Sequence, residues 1–373
     1  MKKYLPVDAP VIEFIRRLSF CKKISIARVF LAVIYFIKLI IVTPVGFIQS
    51  VFYSRRINKT IISKHPVFIL GHYRSGTTYL HKLMSAGAQF GFISTYDIVC
   101  PNSSLVCGKW LQKILQTIIN FFKIKSSLFN NTIPNLSEPA EEERFLINRG
   151  SAFTDYWRFV FPLNWYDLKT CSQLSQQIRY YKKWKKEYIR VLKLASFKNK
   201  GKQLVLKSPP NTERIKYLLE MFPDAKFVYI SRNPCHVFYS TCNMWKKAIK
   251  KFCLQKISDE QIEEIVFTEY TRLLDEYEKY KQLIPQENLV EILYEELEAD
   301  ALNVLHHIYS ELSLPGFEQA EKNFVKKLQE EKRYQKFEYK YSKEVFDKIE
   351  TRWSKHIDLW NKKNSEIFIN EYV

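Results

Sequence analysis

Residues 66–78, Pro66-Val67-Phe68-Ile69-Leu70-Gly71-His72-Tyr73-Arg74-Ser75-Gly76-Thr77-Thr78, contain the pattern that decides the fold of this 373-residue chain. The apolar run before Gly71 predicts a short buried strand, and the apolar residues after Gly76 recur at helical spacing. A strand, a tight turn and a helix in this order bring backbone N–H groups together at a helix N-terminus. The sequence therefore predicts an anion-binding loop over residues 71–78.

The loop has the spacing of the G-x-x-x-x-G-K-[ST] phosphate loop, but Thr77 occupies the lysine position. Nucleoside-triphosphate hydrolases use that lysine on the β- and γ-phosphates and hold Mg²⁺ with the next hydroxyl. The replacement argues against triphosphate chemistry, although a P-loop kinase stays an alternative. The candidate anion-binding residues of the loop are Gly71, Arg74, Ser75, Gly76, Thr77 and Thr78.

Further short apolar runs, at residues 90–95, 204–206, 226–230 and 289–293, alternate with helical patterns such as 105–122 and 300–312. This alternation is typical of a parallel sheet with right-handed crossovers. The predicted fold class is α/β, a P-loop-type parallel sheet flanked by helices, with an N-terminal apolar helix and a C-terminal helical extension. The predicted divisions are a basic and apolar segment over 1–64, an α/β domain over 65–315 and its helical extension over 316–373.

The composition of the chain indicates which kinds of ligand or surface it is expected to bind. The chain has 58 Lys and Arg against 39 Asp and Glu, a formal charge of +19, which favours an anionic ligand or surface. The basic residues are scattered through mixed-charge helices without a zinc-finger or RNP-like signature, so nucleic acid is not an expected partner. Seven cysteines without a C-x-x-C pair or a Cys/His cluster predict no metal and fit a reducing cytoplasm.

Residues 29–52, VFLAVIYFIKLIIVTPVGFIQSVF, are nearly all apolar and reach the roughly 20 residues that can span a bilayer. Lys38, Pro44 and Gly46 interrupt the run, and basic residues flank it on both sides. Crossing a membrane would place one cationic flank outside, against the positive-inside tendency. We expect a helix or bent hairpin at the cytoplasmic membrane face, with a buried core helix as the alternative.

Two more motifs complete the pattern: Leu204-Val205-Leu206-Lys207-Ser208-Pro209, and residues 222–234 (FPDAKFVYISRNP) followed by Ser240. With the Arg-Ser-Gly-Thr-Thr string of the loop, the chain resembles the sulfotransferases that depend on 3′-phosphoadenosine 5′-phosphosulfate (PAPS), specifically their bacterial branch, over residues 66–314. The resemblance implies that the loop binds the 5′-phosphosulfate, that Arg232 and Ser240 bind the 3′-phosphate, and that Lys207 lies near the sulfuryl group. Arg232 ends a predicted strand and Ser240 follows about two helical turns later, so both could reach one phosphate.

The sequence departs from the family at Asn211 and Pro209, where relatives have histidine, so another group must accept the proton. The first candidate base is Asp97. The resemblance implies this role, because related sulfotransferases have a carboxylate at this place after the second strand. The second candidate is Glu142, within a Glu141–Glu143 cluster that resembles an acidic family motif. That cluster also has a structural explanation, since helix N-termini favour carboxylates.

The predicted activity is transfer of a sulfuryl group from PAPS to an acceptor hydroxyl, without a metal, with Arg74 and Lys207 stabilising charge on the leaving group. The acceptor is expected to be a hydroxyl-bearing small molecule or lipid, such as a sterol or a lipid headgroup presented at a membrane surface. Alternatives are a carbohydrate or peptide sulfotransferase, a P-loop kinase and a non-catalytic basic membrane adaptor. The sequence leaves the oligomeric state open.

Overall fold

The computed structural model describes residues 26–63, 65–124, 133–148, 155–164, 178–331 and 343–363. The strands of these residues are β1 (Val67–Leu70), β2 (Phe90–Gly91), β3 (Gln203–Lys207), β4 (Lys226–Ser231) and β5 (Leu289–Leu293). The helices are α1 (Ile26–Lys59), α2 (Thr77–Met84), α3 (Thr95–Val99), α4 (Gly108–Phe121), α5 (Glu142–Asn148), α6 (Ile178–Lys198), α7 (Ile215–Met221), α8 (Pro234–Phe252), α9 (Asp259–Tyr280), α10 (Tyr294–Ala299), α11 (Ala301–Glu311), α12 (Phe317–Glu331) and α13 (Lys343–Lys363).

The strands form one sheet in the order β2-β3-β1-β4-β5. β4 pairs in parallel with β1, with Val67 opposite Lys226, and in parallel with β5, with Phe227 opposite Leu289. Every residue of β1 is buried, as expected for a parallel strand covered on both faces. The predicted α/β class with a parallel sheet is therefore confirmed.

The described residues group into two compact units. Unit 1 draws on the described residues within 26–63, 91–206 and 244–258, and unit 2 on those within 65–90, 207–243 and 259–363. Unit 2 contains the predicted phosphate loop, and unit 1 contains α1 and both candidate carboxylates. The division of the chain at residues 64 and 315 stays a prediction.

The second predicted strand, 90–95, is shorter than expected. β2 ends at Gly91, and Ser94 caps α3 through a reciprocal pair of hydrogen bonds: the Asp97 N–H donates to the Ser94 hydroxyl at 3.2 Å, and the Ser94 N–H donates to the Asp97 carboxylate at 3.0 Å. This capping box ends the extended backbone, because it satisfies N–H groups that a strand would need to pair elsewhere.

The apolar segment 29–52 lies within α1, a single helix that continues through Pro44 and Gly46 rather than a bent hairpin. Among the described residues, no helix is both long and apolar enough to cross a membrane. The basic residues predicted to flank the segment at its N-terminal side, from Arg16 to Lys23, lie outside the described residues.

The predicted C-terminal extension contributes to the interior of unit 2. Trp353 of α13 is fully buried and stacks on Tyr270 of α9, with ring centroids 3.8 Å apart, and its indole N–H donates to the Phe267 carbonyl. Aromatic stacking of this kind adds to the area buried by the two rings. Residues 332–342 and 364–373 of the predicted extension are outside the described residues.

Candidate active site

The predicted phosphate loop is a tight turn between β1 and α2, and its backbone conformation requires glycine at two points. Gly71 has φ +143°, and a Cβ there would lie 2.5 Å from the Ile230 carbonyl oxygen. Gly76, with φ +89°, leaves no room for a Cβ against the Tyr294 ring. Arg74 adopts φ +72° although it is not glycine. Such a conformation is uncommon and is found at ligand clamps, where the surroundings hold it in place.

Thr212 holds the start of this loop, a contact that the sequence did not predict. The Gly71 N–H donates to the Thr212 hydroxyl at 2.8 Å, and that hydroxyl donates to the Gly71 carbonyl at 3.2 Å. Thr212 is fully buried in a 3₁₀ turn over Pro209–Glu213, directly after β3. One side chain therefore pairs both backbone groups of the residue at which strand becomes loop. The only sequence signal is its place just after the Lys207 motif.

The turn that carries Thr212 is fixed to α9 by an ion pair. The carboxylate of Glu213 lies 2.7 Å from the guanidinium of Arg272, and the Glu213 side chain is 1% exposed. A buried ion pair is costly to break, because the remaining charge is left in an apolar environment. The contact therefore restricts the position of Thr212 and, through it, of Gly71.

Two of the predicted donor-binding residues, Arg232 and Ser240, each contact a third, Arg74. Arg74 Nε donates to Ser240 Oγ at 2.8 Å, and Arg232 Nη1 donates to the Arg74 carbonyl at 3.3 Å. Arg232 lies at the end of β4 and Ser240 lies in α8. The structure thus brings the loop, the end of β4 and α8 together; that Arg232 and Ser240 bind one phosphate stays a prediction.

Lys207 reaches the same loop from the end of β3. Its Nζ donates to Thr78 Oγ1 at 3.1 Å, and the residue is 2% exposed. Three cations, Arg74, Lys207 and Arg232, therefore lie on or beside one loop that leads into the N-terminus of α2. A site of this kind favours anionic groups strongly.

Tyr294 is a second residue that the sequence did not predict. It is the first residue of α10, and its ring lies beside Gly76 and under the Arg232 guanidinium, 4.1 Å from the ring centroid to Cζ. This geometry is that of a cation–π contact, which orients the guanidinium. Burial raises the pKa of the Tyr294 hydroxyl well above its ordinary value.

His236, in the first turns of α8, lies near Arg232. Burial, together with the positive charge of Arg232, lowers the pKa of His236 to about 4. The imidazole is therefore neutral at neutral pH and adds no positive charge to the site. Burial also raises the pKa of Glu295, whose carboxylate accepts a hydrogen bond from the Asn233 N–H at 3.0 Å.

Both candidate bases lie in unit 1 and already have partners. Asp97 accepts hydrogen bonds from the N–H and hydroxyl of Ser94 on one oxygen and pairs with Lys198 through the other. Glu142 is fully buried and accepts a hydrogen bond from the Tyr188 hydroxyl at 3.1 Å.

The segments that carry the two carboxylates are linked by backbone hydrogen bonds. The Thr95 N–H donates to the Glu138 carbonyl and the Ala140 N–H donates to the Ile93 carbonyl, each at 2.8 Å. Asp97 and Glu142 are therefore held on neighbouring segments of unit 1, while the predicted donor-binding residues and Lys207 belong to unit 2.

The sequence of this chain is similar to those of known proteins. Residues 66–319 match a sequence model of the sulfotransferase family. Over 335 residues, 88% of this chain and 83% of the relative, the chain is 27% identical to the omega-hydroxy-beta-dihydromenaquinone-9 sulfotransferase Stf3 of Mycobacterium bovis, and equally to that of Mycobacterium tuberculosis.

Two solved structures show the same fold. The sulfotransferase STF9 of Mycobacterium avium has a TM-score of 0.64 at 15% identity, covering 96% of this chain and 98% of its own. STF1 of Mycobacterium tuberculosis has a TM-score of 0.61 at 18% identity, covering 81% and 80%. At these identities the likeness concerns the fold.

Proposed function

This chain belongs to the sulfotransferase family, and from that premise we propose that it transfers a sulfuryl group from PAPS to the hydroxyl of a hydrophobic, lipid-like alcohol. Family membership makes it a sulfotransferase enzyme, in agreement with the sequence prediction. The donor, the acceptor class and the residue roles are the parts that we propose.

The observation that carries the donor proposal is the cluster of Arg74, Arg232 and Ser240 around the phosphate loop. PAPS has two anionic groups, a 5′-phosphosulfate and a 3′-phosphate, on opposite sides of one ribose. We assign the loop N–H groups and the Thr77 and Thr78 hydroxyls to the first group. Arg232 and Ser240 are assigned to the second. Arg74, which belongs to the loop and contacts both Arg232 and Ser240, would fix their separation.

In the proposed reaction the acceptor oxygen attacks the sulfur in line with the departing phosphate oxygen. The S–O bond to that oxygen breaks, and adenosine 3′,5′-bisphosphate leaves with the electron pair. Lys207 and Thr78 are 3.1 Å apart and would donate hydrogen bonds to the oxygens on which charge develops. The scheme requires no metal, and this stays a prediction.

A carboxylate would take the acceptor proton, with Asp97 as the first candidate and Glu142 as the second. Asp97 is held in one orientation by Ser94 and Lys198, as a positioned base requires. The same bonds also stabilise α3, so its substitution needs a stability control. Glu142 is oriented by Tyr188.

Two observations support a hydrophobic acceptor. The curated relatives are named for an omega-hydroxylated dihydromenaquinone, a lipid-like alcohol. In unit 1, α1 exposes Phe47, Val51 and Phe52. We therefore retain the proposal of a cytoplasmic enzyme, peripheral at the membrane, that acts on a hydroxyl presented there.

Ligand binding separates this function from its rivals. The full chain should bind adenosine 3′,5′-bisphosphate in calorimetry with much higher affinity than ATP with Mg²⁺. A preference for ATP and Mg²⁺ would favour the kinase alternative, and no binding of either nucleotide would favour a non-catalytic adaptor. A carbohydrate or peptide enzyme would share the donor result and differ only in an acceptor panel.

A further inference from the structure

The helix α4 of unit 1 has an exposed face of large apolar side chains that the proposed reaction does not use. Trp110 is 66% exposed, Phe121 79% and Phe122 67%, and Ile114 and Ile118 lie between them. Positions 110, 114, 118 and 121 fall within less than a quarter of the helix circumference. Four large apolar side chains on one exposed stripe, with Phe122 directly after it, are more than a monomer surface ordinarily leaves in water.

The opposite face of α4 packs on the protein. Ile119 is buried with Tyr96 and Leu136, and Leu115 packs against that cluster. The Gln116 side chain fixes the orientation by accepting a hydrogen bond from the Leu136 N–H at 2.8 Å and donating one to the Pro134 carbonyl at 3.1 Å. Because this anchor faces inward, the apolar stripe is held outward rather than free to rotate into the protein.

The surroundings of the stripe are cationic. Lys109 and Lys113 are exposed along one side of it, and Lys123 follows it. Between Asp97 and Glu138 the sequence has four lysines and no acidic residue. An apolar face bordered by lysines and containing tryptophan and phenylalanine has the composition of a helix that lies in the interface of an anionic membrane.

α1 contacts the segment before α4 and has an exposed apolar face of its own. Gln49 of α1 is buried, and its carboxamide accepts a hydrogen bond from the Leu105 N–H at 2.8 Å, just before α4 begins. The neighbouring Phe47, Val51 and Phe52 are 62–70% exposed, and α1 ends with the basic residues Arg56 and Lys59. α1 contains no acidic residue. Two cationic apolar helices are thus joined within one unit.

We propose that the α4 stripe inserts into the headgroup region of an anionic phospholipid bilayer and, with the exposed face of α1, docks the enzyme there. At 14 residues α4 is about 21 Å long, too short for the roughly 30 Å hydrocarbon layer, so it would lie along the surface. A second copy of the chain is a poorer occupant. A symmetric dimer would place the same lysines against each other, and like charges repel.

Vesicle flotation of the full chain tests the proposal, using phosphatidylcholine vesicles with and without phosphatidylglycerol. The wild type should float with the anionic vesicles and less with the neutral ones. The partition coefficient of the double variant Trp110→Ser/Phe121→Ser should fall at least tenfold, because each substitution removes a large apolar area that would be buried in the bilayer. Lys109→Glu/Lys113→Glu should lose at least tenfold on anionic vesicles only.

The matched controls are exposed residues of unit 2, Leu283→Ser and Lys279→Glu, which should float like the wild type. All variants should bind adenosine 3′,5′-bisphosphate like the wild type, so a failure of docking is distinguished from a failure of the proposed reaction. Flotation unchanged in the α4 variants would overturn the proposal. It would equally be overturned if the wild type ignored vesicles and Trp110→Ser/Phe121→Ser converted a dimer to a monomer in light scattering.

Discussion

Replacing Thr212 by valine tests how the phosphate loop is held. Valine has the shape of threonine without the hydroxyl, so both backbone groups of Gly71 lose the partner that the structure gives them. A buried polar group without a hydrogen bond costs about 1–3 kcal/mol. For one N–H and one carbonyl, the carbonyl contact being the longer, we expect Thr212→Val to lower the free energy of unfolding by about 2–4 kcal/mol. Thr212→Ser, which keeps the hydroxyl, should lose much less.

The assay is equilibrium unfolding in urea, repeated with saturating adenosine 3′,5′-bisphosphate. Because Gly71 begins the proposed donor loop, Thr212→Val should also bind the nucleotide more weakly than Thr212→Ser does. A valine variant within about 0.5 kcal/mol of the serine variant, with equal nucleotide affinity, would refute the view that Thr212 positions the loop.

Three further predictions address the site and its charges. Arg232→Ala should weaken adenosine 3′,5′-bisphosphate by roughly tenfold or more and an analogue without the 3′-phosphate much less; equal weakening in calorimetry would remove Arg232 from that contact. Asp97→Asn should reduce the turnover rate of the folded enzyme by roughly 10²–10⁴-fold with little change in donor affinity, with urea unfolding as the control because the pair with Lys198 is also lost, whereas near-normal activity in Asp97→Asn and collapse in Glu142→Gln would transfer the role of base to Glu142. The pKa of His236 in the folded protein, about 4, lies below its value in the unfolded chain. The unfolded chain therefore binds more protons between these two pH values, and the free energy of unfolding falls as the pH drops from about 6.5 toward 4. His236→Asn should lose less stability than the wild type between pH 7.5 and pH 5, and equal losses in urea unfolding would contradict that sign.

The parallel sheet could be predicted because its strands are short apolar runs separated by turn residues. β5 matches its predicted bounds, 289–293, β1 and β4 differ from theirs by one residue at one end, and β3 is longer than predicted by one residue at each end. The strand predicted at 90–95 was too long, because Ser94 and Asp97 form a local capping box that competes with extended backbone. The Ser-x-x-Asp pattern is visible in the sequence, but it is short, and the apolar residues beside it favour the prediction of a strand.

The candidate site, like the sheet, could be predicted from the sequence only in part. The sequence located the phosphate loop and indicated that Arg232 and Ser240 could reach one phosphate; their contacts with Arg74 are found in the structure, where the carboxyl ends of parallel strands meet at one edge of the sheet. Thr212 and Tyr294 were missed, since their contacts with Gly71 and Gly76 depend on packing between residues more than 140 positions apart. Lys198, the more distant partner of Asp97, lies 101 positions from it and was likewise not predictable from local sequence.

Transfer of sulfur-35 from labelled PAPS to a membrane-embedded alcohol tests the central claim most directly. The full chain should label a hydroxylated polyprenyl quinol in vesicles, and Arg74→Ala, which removes the guanidinium between the loop and Ser240, should abolish that label with the fold intact. Label on free sugars or peptides with none on hydroxylated lipids would contradict the proposed acceptor. No label on any acceptor, or full activity in Arg74→Ala, would contradict the proposed site.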